Sequence, residues 1–590
     1  VARFRPNREW FEKPPVRQYL KTIISMQFRK SILRIFIFFA PIVSIAQSTN
    51  LPQGSKHQHI LDRIEIKLKD DPELNFSAIR PRSRRTAVYA ANIADSLNTQ
   101  FPYDYVYQLS EVDKYNIQSL RMNNSEWYTG DKSSFQSKKP LWNAFYKTKA
   151  DMFSVNEKDF FLSVNPVIQQ VQSLETGNSQ RVFLNSKGIT ARGLIAERVG
   201  FDFYLTDNQE RTPLFVQNLE RKFTAVPGAG FYKPFKRTAY DYFDGRGSIY
   251  FNAAKYFNFQ FGYDRNFIGN GYRSLLLSDF SANNLFLKVD TRIWKLQYTN
   301  LFMELFPQFG TNPGNVLLPK KYAAMHRLGL NVAKNLNIGL FESIIFGRTN
   351  RFDFSYLNPV IFLRSIEQQN GSPDNAVVGF DYKWNLSHQG QVYGQFILDE
   401  FKLSEIRSRT GWWANKFGLQ IGGKYIDAFD IKNLDLQGEI NITRPFTYAH
   451  YNSVGNYTHY NQPLAHPLGS DFLEIIGVVR YQPVPKLNFT GKLIFFNRGV
   501  DSVGQNLGNN IFLLTTTRAR DYGFTIPSGI KATGVNLSVL GSYEWKENLF
   551  IDGSLMLRSV NTPLKTDVDN SMFMISLGIR ANMFRREYDY

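Results

Sequence analysis

The chain has 590 residues, 70 Lys and Arg against 51 Asp and Glu, and a formal charge of +19, which points to an anionic partner: nucleic acid, anionic lipid or acidic polysaccharide. A mean hydropathy of −0.32 excludes a helical membrane protein. The absence of cysteine excludes disulfides, thiolate catalysis and Cys-ligated metals, while aromatic residues make up 15% of the chain.

In chain order, the first feature is a leader. From Met26 the sequence reads MQFRKSILRIFIFFAPIVSIAQS, with Arg29, Lys30 and Arg34 ahead of a short apolar run, Ile35 to Val43. Ser44-Ile45-Ala46 then supplies small residues before Gln47. That is the pattern of a cleavable secretory signal peptide, too short for an ordinary membrane anchor. Residues 1–25 lack an initial Met and carry Pro14-Pro15, so they read as upstream sequence from an over-long reading frame.

Residues 47–157 read as a mixed, largely helical region. Arg84–Thr99 is rich in helix formers, and Ser110 is a helix N-cap with Asp113 at the third helical position. Val112, Tyr115 and Leu120 would then lie near one face. Neither helix is long enough to stand alone, so the region is expected to pack on something larger. His57 and His59 could approach a metal, but no third ligand accompanies them, and no metal or cofactor is expected. The run RPRSRR from Arg80 to Arg85 invites a nucleic-acid reading. An exported chain rarely meets nucleic acid, so anionic lipid or a periplasmic partner is the expected contact.

From about residue 158 the period changes to two. In Asn375–Leu386, Ala376, Val378, Phe380, Tyr382, Trp384 and Leu386 share one face, opposed by Asn375, Gly379, Asp381, Lys383 and Asn385. Leu434–Thr443 and Val535–Lys546 repeat the pattern. Such segments are strands with one apolar and one wet face. Strand follows strand almost to the last residue, and Trp384 and Trp545 sit at apolar-face ends, where a membrane-interface girdle wants them. The last strand is expected over Phe573–Phe584, with aromatic Tyr588 and Tyr590 beyond it. A leader, serial amphipathic strands and the aromatic C-terminal residues together fit an all-β transmembrane antiparallel barrel over 158–590, in an outer membrane, with a secreted soluble β protein as the alternative. At about 20–25 residues per strand and connection, ~16–20 strands are expected, enclosing a polar lumen that holds water, plugging loops or both.

Within this region FIGNGYRSLLLSDF, Phe267 to Phe280, approaches the G-x-G-x-x-G/A loop that cradles a pyrophosphate. No βαβ unit surrounds it, and its flanks have a period of two, so it is an inter-strand segment whose glycines permit a sharp turn or a close backbone approach. Asp399 and Glu400 are adjacent and should point to opposite faces, which excludes them as a catalytic carboxylate pair. His450 and His459 have no G-x-S-x-G elbow to serve. The chain is not expected to be an enzyme.

GYDRNFIGNGYRSLLLSDFSANN and the later YTHYNQPLAHPLGSD resemble segments of the Wzi-like capsule-assembly family of outer-membrane β-barrels. HILDRIEIK, SAIRPRSR and GQFILDEFKL are similar to the branch known as gliding-motility outer-membrane proteins. Capsule-assembly members carry a Trp-Gly-Pro-Gly-like turn where this chain has Ile268-Gly-Asn-Gly271. The resemblance implies about 18 strands with a periplasmic helical portion, and a lectin-like hold on surface polysaccharide. Outer-membrane lipid or lipopolysaccharide, and motility or secretion components, are the further partners it implies. Its motif turn is Gly269, Gly271, Arg273, Ser274 and Asp279. Sugar rings stack on aromatic faces while their hydroxyls meet polar side chains. Tyr448, His450, Tyr451, Tyr457, His459, Tyr460 and Asn461, all within Phe446–Phe472, are therefore the candidate polysaccharide-binding residues. An ordinary packed outer loop is the alternative for that segment, and a passive porin-like channel for small solutes is the alternative for the protein.

Overall fold

The alternating segments close into a barrel in the computed structural model, which describes residues 47–590 except 143, 311–314, 350, 361, 503 and 564–569. The leader and the upstream segment lie outside the described residues. Eighteen long antiparallel strands, from Phe160–Glu175 to Asn570–Ala581, form the wall. The last strand pairs with the first in register from Met574↔Glu175 to Ala581↔Ile168, so the sheet has no free edge. Short strands Phe153–Glu157 and Lys233–Phe235 each pair with one wall strand.

The faces fall as the alternation predicts. In Asn375–Asn385, Asp381, Lys383 and Asn385 are each 1% exposed, whereas Val378, Phe380 and Trp384 are exposed. Neighbouring strands continue the outer face: Ile421 pairs with Ile440, and Ile440 with Ile475, all three exposed. Phe251 and Phe259 stack at 5.0 Å on the same outer surface. Trp384, Trp545 and Trp294 sit beside short turns at one rim. A continuous apolar belt with an aromatic rim is the surface of a membrane-spanning barrel. No described helix is long and apolar enough to cross a membrane.

The two ends differ. One carries two-residue turns at 255–256, 294–295, 334–335, 485–486 and 547–548; the other carries the long connections 212–238, 265–283, 347–374, 444–471 and 501–529. In outer-membrane barrels short turns face the periplasm and long loops the exterior.

The helical region caps the short-turn end. Helix Arg84–Gln100 starts at Ser83, whose hydroxyl accepts from the Thr86 N–H, and helix Glu111–Met122 starts in a full capping box of Ser110 and Asp113. A further helix, Lys56–Leu68, carries both His57 and His59. Its Ile60, Leu61, Ile64 and Leu68 recur at helical spacing and pack on Ala87, Ala90, Ala91 and Ala94, whose small side chains let the helices approach closely. Polar side chains weld the cap to the turns: Lys56 pairs with Glu544 at 2.5 Å and Glu547 at 2.8 Å, and Arg63 with Asp427 at 2.9 Å. His59 Nε2 lies 2.9 Å from Asp435, and Asp62 lies 2.8 Å from Lys424.

Burial opposes ionisation of Asp113, but Arg63 and Lys67 beside it hold its carboxyl down to about 2. Burial likewise opposes ionisation of Glu547, and Lys56 holds it down to about 2. Both values are depressed, so the stabilisation is complete above the unfolded values, 3.8 and 4.5, and is lost as pH falls towards about 2. Each contributes roughly 2–3 kcal/mol. Hydrogen exchange should show helix Lys56–Leu68 losing protection across that acid window while the wall strands keep theirs. Protection unchanged at the bottom of the window would contradict this account.

Four sequence expectations are corrected. Arg82 and Arg84 of the basic run are buried, bonded to Glu65 at 3.2 Å and to Asn124 at 2.7 Å, and Arg80 pairs with Asp62 at 3.6 Å. These three arginines hold the cap together, and of the run only Arg85 is exposed. Strands are not uninterrupted: helices Leu214–Phe223, Leu363–Gln369 and Leu403–Arg407 occupy long connections. Asp399 and Glu400 do not part company, since a bulge between Leu398 and Glu400 brings both to Lys416, at 3.3 and 2.9 Å. Finally, the last strand ends at Ala581, and the tail beyond it turns into the lumen.

Candidate functional site: a plugged lumen with an outward cavity

FIGNGYRSLLLSDF forms the centre of the plug. The connection 265–283 starts at the long-loop end and descends until Phe267 and Ile268 pair with Arg80 and Ile79 of the cap. There the Gly269 N–H donates to Ala78 O at 2.7 Å. Gly269 holds φ +145°, and a Cβ at this position would lie 2.4 Å from Gln395 Nε2. At Gly271 a Cβ would lie 2.5 Å from the Glu439 carboxylate and 2.7 Å from Arg273 O, so this is a close backbone approach.

Glu439, from the lumen face of strand Leu434–Thr443, is the anchor. Its carboxylate accepts from the N–H groups of Tyr272 and Arg273 at 2.6 and 3.0 Å, and from Tyr393 Oη at 2.9 Å and Asn441 Nδ2 at 2.9 Å. Ser274 Oγ donates to Ile268 O at 2.6 Å and accepts from the N–H groups of Leu276 and Leu277, which makes the bend compact. Leu275, Leu276 and Leu277 then fill the lumen core beside Met303, Met325 and Ile397. Asp279 is half-buried, and its carbonyl accepts from Arg265.

The tail Asn582–Tyr590 runs alongside. Arg586 donates to Glu210 and to Pro227 O, both at 2.7 Å, and Tyr242 Oη donates to the other Glu210 oxygen at 2.7 Å. Asp589 pairs with Lys492 at 2.5 Å and Arg273 at 3.3 Å. The tail leaves the wall because its charged side chains find buried partners only inside.

The aromatic connection 444–471 interlocks with the same plug. Tyr448 and Tyr457 are 1% and 0% exposed, and their hydroxyls donate to Leu275 O at 2.7 Å and Leu276 O at 2.6 Å. His459 is buried: its Nδ1 accepts from the Phe306 N–H and its Nε2 meets Asn283 O, both at 3.1 Å. Burial pushes the imidazoles of His459 and His450 down to about 4, so both are neutral at pH 7. Tyr460 packs edge-on to Phe309 at 5.0 Å, and Tyr451 is exposed. Asn461 bridges two connections, donating to Phe223 O and Phe309 O at 2.8 and 2.9 Å. The fold gathers the predicted residues around one plug, with the rings of Tyr448 and Tyr457 closed to any sugar.

Open surface lies beside them. A cavity of about 160 Å³ at the long-loop mouth is lined by helix Leu214–Phe223, connection 444–471, connection 501–529 and the tail. Phe215, Phe280, Phe512 and Tyr590 supply aromatic walls; Asn461, Gln462, Asn509 and Asn510 supply amides. Lys222, Arg498 and Arg558 supply cations. Asn218 and Lys222 are exposed at its rim. Sequence reasoning missed most of this set because the residues come from seven separate segments, and only their convergence marks them. Asn461 alone was legible. No group of His, Asp and Glu among the described residues could hold a metal.

A closed 18-stranded antiparallel barrel with an apolar belt, a helical cap and loops packed into the lumen defines a transmembrane β-barrel of the outer-membrane type. No protein-family model matches the sequence. No curated protein matches it either. Among solved structures the chain is similar to Wzi, the Escherichia coli outer-membrane protein involved in group 1 capsule assembly and described as a carbohydrate-binding β-barrel. The TM-score is 0.54 at 14% identity, over 91% of this chain and 100% of that one, a shared fold. OprD of Pseudomonas aeruginosa aligns at a TM-score of 0.39 and 9% identity, over 71% of this chain and 94% of that one. OccAB2 of Acinetobacter baumannii aligns at 0.40 and 7%, over 71% and 97%.

Proposed function

We propose that this protein is a non-enzymatic outer-membrane barrel that holds surface polysaccharide at its outer mouth, in capsule or exopolysaccharide attachment. The observation that carries this reading is the mouth cavity, where aromatic walls, amides and cations converge above a packed lumen. A sugar ring buries its apolar face on aromatic side chains while amides meet its hydroxyls. The carbohydrate-binding description of Wzi, whose fold this chain shares, supports the same reading. Outer-membrane lipid surrounds the belt. A gliding-motility or adhesion apparatus is the wider setting.

Deletion of the gene should strip stainable polysaccharide from the cell surface, and purified barrel should bind polysaccharide from the same cells. Unchanged retention together with no binding would refute the role. Loss of surface spreading in the same deletion strain would support the motility setting, and unaltered spreading would remove it.

One observation favours a second reading, a small-solute channel. The mouth cavity shares Phe280 and Tyr590 with a lumen cavity of about 400 Å³. That cavity shares Arg246 and Phe584 with another of about 160 Å³, which shares Tyr250 with one of about 570 Å³ at the cap. Planar-bilayer conductance discriminates: a holder of polysaccharide carries little current, and a porin carries steady open-channel current.

A further inference from the structure

The floor of the mouth cavity carries a buried cation that forms no salt bridge among the described residues. Arg558, on the lumen face of strand Leu549–Asn561, is 7% exposed, and its Nε and Nη1 are buried with no hydrogen-bond partner. Its guanidinium lies 4.1 Å over the Phe215 ring and 5.8 Å from Phe496. Arg498, from strand Leu487–Val500, lies 5.9 Å from the same Phe496 ring, so two guanidiniums flank one aromatic side chain on the cavity floor.

Burying a cation without a hydrogen-bonding partner is costly, and native proteins retain such groups where a ligand completes them. Elsewhere in this lumen the buried arginines are paired. Arg327 bonds Asp381 at 2.6 and 2.8 Å, Arg273 reaches Asp589, and Arg586 reaches Glu210. Aromatic contact fixes the orientation of the Arg558 plane but uses none of its donors. A guanidinium fork with free donors matches a planar carboxylate, which it can bind through two parallel hydrogen bonds.

Space agrees with charge. About 160 Å³ lies before this floor. A dry cavity of about 150 Å³ admits a benzene-sized ring, so one six-membered sugar ring fits here. The apolar walls and amides above the floor suit the ring and its hydroxyls, and exposed Lys222 at the rim adds a third positive charge, along the approach.

The geometry points to a carboxylate-bearing sugar, a uronic acid unit of the polysaccharide, as the ligand of this cavity, with Arg558 as its anchor. This rests on the polysaccharide reading above and narrows it to acidic polymers.

The test uses the full-chain barrel in detergent and two probes: a glucuronate-containing oligosaccharide, and the same oligosaccharide with its carboxyls reduced to alcohols. Wild type should bind the acidic probe at least ~10-fold more tightly, the scale of one charge-assisted hydrogen bond. Arg558→Gln should abolish that preference. Arg558→Lys, which keeps the charge and loses the fork, should retain part of it. Lys222→Gln, on the exposed rim, should weaken binding of the acidic probe in a salt-dependent way. Equal binding of both probes by wild type, or a preference that survives in Arg558→Gln, would overturn the carboxylate assignment while leaving polysaccharide binding intact. Binding of neither probe by wild type would overturn both.

Discussion

Glu439→Ala should destabilise the barrel by ~3–5 kcal/mol and free the 265–283 connection, because one buried carboxylate satisfies so many donors. The N–H groups of Tyr272 and Arg273, the Tyr393 hydroxyl and the Asn441 amide all converge on it. Alanine leaves those buried donors without the two carboxylate oxygens on which they converge. Guanidinium unfolding of the folded barrel measures the loss. Proteolysis should cut 265–283 in the variant and spare it in wild type. Glu439→Gln, which keeps one acceptor oxygen, should fall between the two. A change below ~1 kcal/mol with the connection still protected would show that Ser274 and the leucine run hold the plug without this anchor.

Removing Arg585–Tyr590 should raise conductance well above the parent's. The tail walls the 400 Å³ lumen cavity and, through Tyr590, separates it from the mouth cavity. Its deletion removes Arg586 from Glu210 and Asp589 from Lys492 and Arg273. Glu210, 0% exposed, then retains the Tyr242 hydroxyl as its neutral donor, and water entry supplies the rest. Planar bilayers should show small, brief events for wild type and long open states for the truncated barrel. Equal conductance would mean that the interlocked connections 265–283 and 444–471 seal the lumen without the tail.

Much of the fold was legible in the sequence, for a simple reason. A strand's side chains alternate by geometry, so Val378, Phe380 and Trp384 must share the face opposite Asp381 and Lys383 wherever the strand lies. The Ser110–Asp113 capping box is likewise local, because its partners lie three residues apart. Helix Lys56–Leu68 escaped notice although its Ile60, Leu61, Ile64 and Leu68 have helical spacing, since the polar residues between them drew attention to metal binding.

Local pattern cannot say what a residue meets across the lumen. The aromatic residues of 444–471 have the composition of a sugar-binding loop, yet Tyr448 and Tyr457 spend their rings on the core and their hydroxyls on two leucine carbonyls. The run RPRSRR has the composition of an anion-binding patch, yet Arg80 and Arg82 face acids 20 or so positions away in the cap and Arg84 is bonded to Asn124. By itself the sequence determined the barrel, its inward and outward faces and two of the cap helices, all consequences of spacing along one strand or helix. Only tertiary structure decided that FIGNGYRSLLLSDF is a plug, that the tail turns inward, and that Arg558 lies on the floor of the mouth cavity with two nitrogens lacking a hydrogen-bond partner among the described residues. Those depend on contacts between residues hundreds of positions apart, where closure of the barrel sets the distances.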